Sequence, residues 1–401
     1  MENVVAIEGA SQAEELVLEP DICNFSSITE HVHDQESIDI VWWSNAVFLP
    51  LIALLGLACN LLNIAILTSN RGARRIPSWT LLLALAVCDC LFLVFAVLDV
   101  TPLSIPSLSL SPTFNHFYSH VVLYIRTLAS TFYKSSVLIV VAFNVERYIC
   151  VLHPLKSHSV CTGKTSRLAI YACFIISLFC SVQWPLAYDV RKCYDSSSQE
   201  YFYAVLLTDN PTLKYYYRTM DYISLLGFNV LPILALLFMN TRIILTLRRV
   251  VDEDTRREEE TARLADGGAL VTIQEPSTNK LNANAMLFAV VLMLLVCVGP
   301  QAPARLLFDI YGQYHPKAIV YTCVSQLLVF LNAALNFCLY CVVSKRYRVL
   351  MRQTIKRLLR RIEGVDKPFP LSVKQSKSGS SAHATSLEDH SHRPMILVQP
   401  V

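Results

Sequence analysis

Residues 119–155, SHVVLYIRTLASTFYKSSVLIVVAFNVERYICVLHPL, decide the fold. About 20 apolar residues suffice to cross the hydrocarbon core of a bilayer, so this stretch predicts a spanning helix that is long enough to tilt. The polar triplet Glu146, Arg147 and Tyr148 follows its apolar part, and Pro154 then stops the helix because proline has no amide donor. The triplet marks one membrane face, and the stretch is predicted to be the central helix of the protein.

The composition of the whole chain agrees with a membrane protein. Of its 401 residues, 54% are hydrophobic and 16% are charged, and the mean hydropathy is +0.43. These values are not those of a soluble domain. Seven long apolar runs predict an all-α fold, a bundle of seven transmembrane helices, at residues 44–68, 79–101, 119–152, 167–188, 219–247, 284–310 and 318–343.

The distribution of charge predicts the orientation of the bundle in the membrane. Residues 1–43 contain ten Asp or Glu and no Lys or Arg, whereas basic residues follow the first, third and fifth runs. Because basic loops stay in the cytoplasm, we expect the N-terminus outside and the C-terminus inside a plasma membrane. The triplet at Asn24 would then accept an N-linked glycan on the outer side.

Four regions follow from these patterns. We expect an extracellular tail at residues 1–43, the bundle at 44–343 and a disordered cytoplasmic tail at 362–401. Between bundle and tail, residues 344–361 alternate Lys or Arg with apolar side chains, which predicts a short eighth helix lying amphipathically on anionic membrane lipid.

Polar residues inside the apolar runs require partners, since an unsatisfied polar group in hydrocarbon costs several kcal/mol. Asn60 in the first run predicts a bond to a neighbouring helix. Asp89 lies near the middle of the second run and predicts an ion or proton site, with Na⁺ as the candidate ion. A structural carboxyl group is the alternative. The polar residues that could share this site are Ser136, Asn332 and Asn336.

Local signals predict further features of the bundle. Arg126 and Lys134 are eight residues apart, so both should face inward from one side of the third helix and line a polar cavity. Residues 191–205 alternate around a polar turn and predict a β-hairpin. Pro232 and Pro300 predict bends in the fifth and sixth helices.

The ordered set of these motifs resembles the rhodopsin-like G-protein-coupled receptors. It comprises Asn60, Asp89, Glu146-Arg147-Tyr148, Pro232, Pro300 and Asn336-Phe337-Cys338-Leu339-Tyr340, one motif per expected helix. Asn336-Phe337 and the Leu155-Lys156 sequence are similar to invertebrate FMRFamide-type neuropeptide receptors. The resemblance implies coupling to a heterotrimeric G protein, and also to arrestin. The residues it implies for coupling and switching are Glu146, Arg147, Tyr148, Leu155, Asn336 and Tyr340.

The chain also departs from the family pattern. Val298 replaces the usual Trp of the sixth helix, and Asn240 and Lys280 replace residues that usually hold the Arg of the third helix. We therefore expect Arg147 to rest on Glu146 alone. Val122 stands where the family usually has a Cys, so Cys193 either pairs with Cys23 or remains a free thiol.

The resemblance also frames the choice of ligand. Ala129 stands where amine receptors carry an Asp, so a peptide, amidated and FMRFamide-like, is expected instead of a biogenic amine. A peptide of this type carries an Arg, and that Arg would need a carboxylate partner in the receptor. The alternative is that the outer Asp residues form structural bridges with Arg126 and Arg305. The predicted ligand contacts are Asp99, Arg126, Tyr133, Asp221, Arg305, Asp309 and Gln326.

Other classes of function have less support in the sequence. The ten His are scattered without the helix pairing that zinc sites use, and no Gly-rich phosphate loop or catalytic constellation is present, so we expect neither an enzyme nor a metal site. Nothing points to nucleic acid. A transporter or channel that uses Asp89 and Lys134 remains the alternative to a receptor.

Overall fold

A computed structural model describes residues 35–69, 78–109, 111–195, 200–264, 292–311, 315–343 and 345–362. Residue contacts divide the chain into a unit at 1–357 and a second unit at 358–401. The contacts between the spans lie within the first unit. Asn24, Cys23 and Lys280 lie outside the described residues, as does most of the predicted tail at each end.

Six helices of the described chain are long and apolar enough to cross a membrane, and a shorter apolar helix runs over Leu292–Leu307. We number these seven elements as spans in chain order. The six long spans are Asp39–Ser69, Trp79–Val100, Pro112–Leu152, Gly163–Ala187, Pro211–Arg257 and Pro316–Cys338, which are the first to fifth and the seventh. The seventh helix itself continues to Val343, and a further helix covers Lys345–Ile362.

The third span is central, as predicted. It packs against the second, fourth and fifth spans, while the first span packs against the second and seventh. The main apolar cluster includes Leu81, Ile139, Phe143 and Ile243, all almost fully buried. On the outside, large apolar side chains such as that of Leu54 are exposed, as expected for a surface that faces lipid.

The fifth span contains a π-helical turn, Leu226–Val230, between the helices Pro211–Leu225 and Leu231–Leu264. The amide of Leu231 bonds back to Leu226, one residue further than in an α-helix. Pro232 follows at once. Because proline has no N–H and its ring crowds the preceding turn, the wider turn relieves the strain that it would cause. The bend predicted at Pro232 thus takes the form of a π turn.

The sixth span is interrupted at Gly299 and Pro300, between helical residues 292–298 and the helix Gln301–Tyr311. The predicted bend is therefore present. A Cβ atom at Gly299 would lie 2.3 Å from the carbonyl oxygen of Leu295, which is too close for any other residue without a backbone shift. Glycine and proline together set this turn.

The fourth span differs from its predicted range of 167–188. It begins earlier, at Gly163, where the side chain of Thr162 accepts a hydrogen bond from the amide of Thr165. The main helix of this fourth span ends at Phe179, and a short helix, Gln183–Ala187, follows after a turn. Tyr188 already belongs to a strand.

The predicted hairpin is present. Strands β1, Tyr188–Asp195, and β2, Glu200–Leu207, are antiparallel. Asn115 anchors β2 to the third span, since its side chain accepts from the amide of Tyr203 at 2.6 Å and donates to the carbonyl of Tyr203 at 3.2 Å. At the base, Arg191 bonds to Asp209 at 2.5 Å, and this bond lowers the pKa of the Asp209 carboxyl group.

The first and seventh spans approach closely at Gly56 and Ala334. A Cβ atom at Gly56 would lie 2.7 Å from the Cβ of Ala334 and 2.8 Å from Cδ1 of Leu93. One turn along, Asn60 donates to the carbonyl of Ala333 at 2.9 Å, which confirms the predicted bond between helices. Small residues at such contacts let two backbones meet within the membrane.

The helix Lys345–Ile362 is fixed to the first span at its beginning. Tyr347 is buried and its hydroxyl donates to the side chain of Asn63. Further along, Arg357 donates to the carbonyl of Ser69 at 3.3 Å. Leu358 and Leu359 are exposed.

We expect Gly56→Ala to lower the stability of the purified protein by about 1–3 kcal/mol, because the added methyl group overpacks the contact with Ala334. The melting temperature should fall by several degrees. Gly227→Ala is the matched control, since a Cβ atom there meets nothing within 4 Å. Equal melting temperatures for the two variants in lipid nanodiscs would contradict the close contact.

Candidate functional site: a cavity between the spans

A cavity of about 410 Å³ lies among the second to seventh spans. Six of the seven predicted ligand contacts line it, namely Asp99, Arg126, Tyr133, Asp221, Arg305 and Gln326. The side chain of Asp309 lies outside the described part of the structure. Sequence reasoning did not identify several other polar lining residues, namely Ser130, Gln183, Trp184, Ser224, Asn229, Gln301, Thr322 and Ser325.

Both acidic residues of the described lining are paired with arginines. Arg126 donates from Nε to the two carboxylate oxygens of Asp99 at 3.1 and 3.3 Å, and Arg305 forms an ion pair with Asp221. The guanidinium group of Arg126 also lies 5.1 Å from the ring centre of Trp184. The structural bridges considered as an alternative are therefore present, within the cavity wall itself.

Lys134 is the third cation of the described lining, and it is almost fully buried. Its ammonium group donates to the carbonyl of Cys180 at 2.7 Å and to Ser181 Oγ at 3.2 Å. Cys180 follows the last residue of a helix, where carbonyls lack partners and the helix dipole is negative. Lys134 thereby stabilises the break in the fourth span and leaves the charged lining with three cations and two anions.

Tyr133 connects three spans at the cavity wall. Its hydroxyl group lies 2.9 Å from the side-chain oxygen of Asn229 and 3.1 Å from that of Gln301, and it has hydrogen-bond contacts with both amides. Asn229 belongs to the π turn of the fifth span, and Gln301 directly follows the turn of the sixth. One hydroxyl group therefore joins the third span to the two irregular segments.

Five buried polar atoms of the lining meet no hydrogen-bond partner among the described residues. Trp184 Nε1 and Arg305 Nε are donors, Gln183 Oε1 is an acceptor, and the hydroxyl groups of Ser224 and Thr322 are both. A buried polar group without a partner costs about 1–3 kcal/mol. The wall of this one cavity therefore holds five polar groups without partners, both donors and acceptors.

Below the cavity, Asp89 is buried between the second, third and seventh spans. It accepts hydrogen bonds from Ser136 Oγ at 2.6 Å and Asn336 Nδ2 at 2.8 Å. Asn332, the third predicted partner, is buried one turn away on the seventh span. The residues the structure describes include no Lys, Arg or His paired with Asp89. Hard cations such as Na⁺ prefer oxygen ligands, which the Asp89 carboxylate and the Ser136 hydroxyl group supply, whereas Asn336 presents its amide nitrogen.

At the opposite end of the third span, the carboxylate of Glu146 accepts from Ser166 Oγ at 2.5 Å. The guanidinium carbon of Arg147 lies 5.1 Å from the ring centre of Phe143. The prediction that Arg147 rests on Glu146 alone is therefore wrong, because Arg147 lies over the ring of Phe143. Glu146 in turn bonds to Ser166.

The other predicted switch residues lie near this end or are not described. Tyr148 packs at 6.5 Å from the ring of His153, and Leu155 is 94% exposed on the short helix Pro154–Val160. Asn240 donates to the side chain of Asn144 at 3.2 Å. The side chain of Tyr340 lies outside the described residues.

The sequence model described as 7 transmembrane receptor (rhodopsin family) matches residues 59–340, more than half of the chain. The chain belongs to this receptor family. The receptor is accordingly not an enzyme, and family membership replaces the transporter or channel alternative.

Several receptors are similar in sequence. The allatostatin-A receptor of Bombyx mori is 25% identical over 312 residues, or 77% of this chain and 78% of that protein. The FMRFamide receptor of Drosophila melanogaster is 23% identical over 401 residues, or 93% of this chain and 65% of that protein. The neuromedin-U receptor 1 of Homo sapiens is 25% identical over 237 residues, or 55% and 53%.

The structure gives the oxidation state of the described cysteines. Cys193 is in a disulfide, so the alternative of a free thiol there is wrong. Eleven other cysteines of the described chain are free thiols. Cys23 lies outside the described residues, and its pairing with Cys193 remains a prediction.

The prediction that histidines lack helix pairing is also wrong. His116 and His120 lie one turn apart on the third span, with ring centres 4.9 Å apart. The spacing is visible in the sequence, but the predicted span begins at residue 119 and leaves His116 outside it. Groups of three or more His, Cys, Asp or Glu able to hold a metal do not occur in the described part of the receptor.

We expect Tyr133→Phe to destabilise the receptor by about 1–3 kcal/mol, because the amides of Asn229 and Gln301 lose a buried partner. Thermal unfolding in nanodiscs measures the effect. Tyr124→Phe on the same span is the control, since Tyr124 is 63% exposed and its change should stay within about 0.5 kcal/mol. A Tyr133 variant as stable as this control would remove the hydroxyl group from the coupling of the three spans.

Proposed function

We propose that this receptor binds an extracellular peptide in its cavity and activates a heterotrimeric G protein. The observation that carries the proposal is the set of five unsatisfied polar atoms around the cavity. A peptide backbone alternates N–H and C=O groups, so a few residues of it can satisfy scattered donors and acceptors. The relatives named above as receptors for allatostatin-A, FMRFamide and neuromedin-U support the same ligand class.

A biogenic amine fits the cavity less well. Ala129 lines the cavity at the position where the resemblance led us to look for a carboxylate. The acids of the described lining, Asp99 and Asp221, already bind Arg126 and Arg305. A small amine would therefore have to break an ion pair, and it would leave most of the unsatisfied polar atoms without partners.

The finer proposal is an amidated, FMRFamide-like peptide. An incoming Arg would exchange with Arg305 at Asp221, so that the carboxylate keeps a guanidinium partner while Arg305 turns to the ligand's carbonyl groups. The terminal amide would supply a further donor pair to an acceptor such as Gln183 Oε1. Asp309, Gln326 and the pair of Asp99 with Arg126 complete the proposed contact set.

Signal transfer would run through Tyr133 to the turn at Gly299 and Pro300. A ligand that displaces Gln301 from Tyr133 releases the outer helix Gln301–Tyr311, and the inner half of the sixth span then swings as a two-state element. This opens a crevice where Arg147 and the exposed Leu155 would meet the G protein, with arrestin as a second partner. Glu146, Tyr148, Asn336 and Tyr340 would act in the same switch.

The proposed setting is the plasma membrane, with the N-terminus outside and a glycan at Asn24. The exposed Leu358 and Leu359 and the basic residues of the helix Lys345–Ile362 would then rest on anionic lipid of the inner leaflet. A Na⁺ ion at Asp89 would favour one of the two states.

A panel of amidated neuropeptides, applied to membranes that contain the receptor, tests this function by nucleotide exchange on a G protein. We expect an agonist, and we expect Arg147→Ala to bind it with unchanged affinity while exchange is lost. Full exchange by that variant would remove Arg147 from the mechanism.

Repeating the assay with choline in place of sodium, on the parent and on Asp89→Asn, tests the proposed sodium ion at Asp89. Nucleotide exchange should change with this replacement in the parent receptor and should stay the same in Asp89→Asn.

The proposed exchange at Asp221 predicts a difference between Arg-containing agonists and analogues with citrulline, a neutral isostere. In the parent receptor the Arg peptide should bind more tightly. In Asp221→Asn this advantage should shrink by about 1–3 kcal/mol, the coupling expected for a charge-assisted bond. Asp209→Asn is the control, because Asp209 lies at the base of the hairpin and does not line the cavity. Equal losses for both peptides would show that Asp221 does not read the ligand's Arg.

A further inference from the structure

His116 and His120 face the same side of the third span, beyond the cavity and next to the hairpin. Their ring centres are 4.9 Å apart and their planes meet at 45°. Both side chains are exposed. Residues four apart on a helix are neighbours on its surface, so the two imidazoles can reach one ion without a change in the backbone.

The tautomer of His120 follows from its surroundings. Its Nδ1 lies 2.8 Å from the carbonyl oxygen of His116. Because a carbonyl oxygen only accepts, Nδ1 carries the hydrogen and Nε2 keeps its lone pair. A bond from one ring nitrogen to a backbone carbonyl is the outer contact that orients metal-binding histidines and raises their basicity.

The hairpin holds the pair in place. Tyr203 of β2 packs edge-on against both rings, at 4.5 Å from His116 and 5.6 Å from His120. The backbone of Tyr203 is fixed in turn by the side chains of Asn115 and Ser119. The two rings are thus restrained by a residue that the third span itself anchors.

We propose that His116 and His120 bind a divalent transition-metal ion, with Zn²⁺ as the ion of choice. Neutral imidazole suits Zn²⁺, Cu²⁺ and Ni²⁺, whereas Mg²⁺ and Ca²⁺ prefer oxygen. The described residues offer no third His, Cys, Asp or Glu at this site, so water completes the coordination shell and the ion exchanges readily. The site is independent of the peptide cavity and of the proposed ligand.

Zinc binding to the full-length receptor in nanodiscs tests the site, with protein purified without a polyhistidine tag. By calorimetry, the parent should bind one more equivalent of Zn²⁺ than His116→Gln or His120→Gln. Saturating Zn²⁺ should raise the melting temperature of the parent by about 2 °C or more relative to these variants, because the ion binds the folded state. Mg²⁺ should raise none of them.

Three controls make the result decisive. His153→Gln, an exposed histidine at the opposite end of the same span, should keep the full zinc response. His120→Cys should also keep it, because a thiolate replaces the imidazole as a ligand. The His pairs at 31 and 33 and at 390 and 392 are present in every variant, so differences between variants isolate the proposed site.

Equal zinc stoichiometry and equal stabilisation in the parent and in both Gln variants would overturn the proposal. Since both histidines are exposed, the variants should fold like the parent, and their melting temperatures without zinc verify this. Failure to find a peptide agonist would leave these measurements unaffected.

Discussion

Polar groups that a helix carries into hydrocarbon have to find their partners inside the protein, and this constraint organises the receptor. Asn60 meets the carbonyl of Ala333, and Asp89 meets Ser136 and Asn336. The bonds to Ala333 and Asn336 join the first and second spans to the seventh, which is distant in sequence, and the bond to Ser136 joins the second span to the third. The polar residues therefore determine which helices are neighbours and in what rotation, while the apolar residues supply most of the buried area.

The same constraint explains where helices can be broken. The interruption of the fourth span is possible because Lys134 of the third span satisfies the carbonyl of Cys180. The π turn and the turn at Gly299 are likewise adjacent to the polar contacts of Tyr133. Irregular backbone and the polar cavity occur together because polar side chains that line the cavity bond to the irregular segments or to their neighbours. Two of the five unsatisfied polar atoms of the lining, on Gln183 and Trp184, belong to the short helix that follows the break in the fourth span.

Much of the fold could be predicted because the signals are local. Length and apolarity located the spans, alternation around a polar turn located the hairpin, and Pro232 and Pro300 located two irregular segments. Positions of the intramembrane polar residues led to the partners of Asp89. Six predicted ligand residues do line the cavity, since they lie near the outer ends of spans that converge there.

The rest depends on pairing between helices, which one sequence does not encode locally. In the fourth span Pro185 marks the break locally, since it gives no amide to the preceding turn, but the cation that stabilises the break comes from another helix and is not visible in this span. The contact of Arg147 with Phe143 depends on a side-chain rotamer, and the roles of Trp184 and Gln301 depend on helix rotation. The two histidines were missed because the third helix begins at Pro112, before its apolar part.

The π turn at Leu226–Val230 has a consequence for how receptors of this kind are aligned. It accommodates one residue more than a regular helix of the same rise, and one residue corresponds to about 100° of rotation. In a relative whose fifth helix lacks this turn, the residue facing the ligand from the position of Asp221 is offset by one place in the sequence. An ungapped alignment of the outer half of this helix would pair cavity-facing residues with lipid-facing ones, and a specificity rule transferred in that way would compare the wrong side chains.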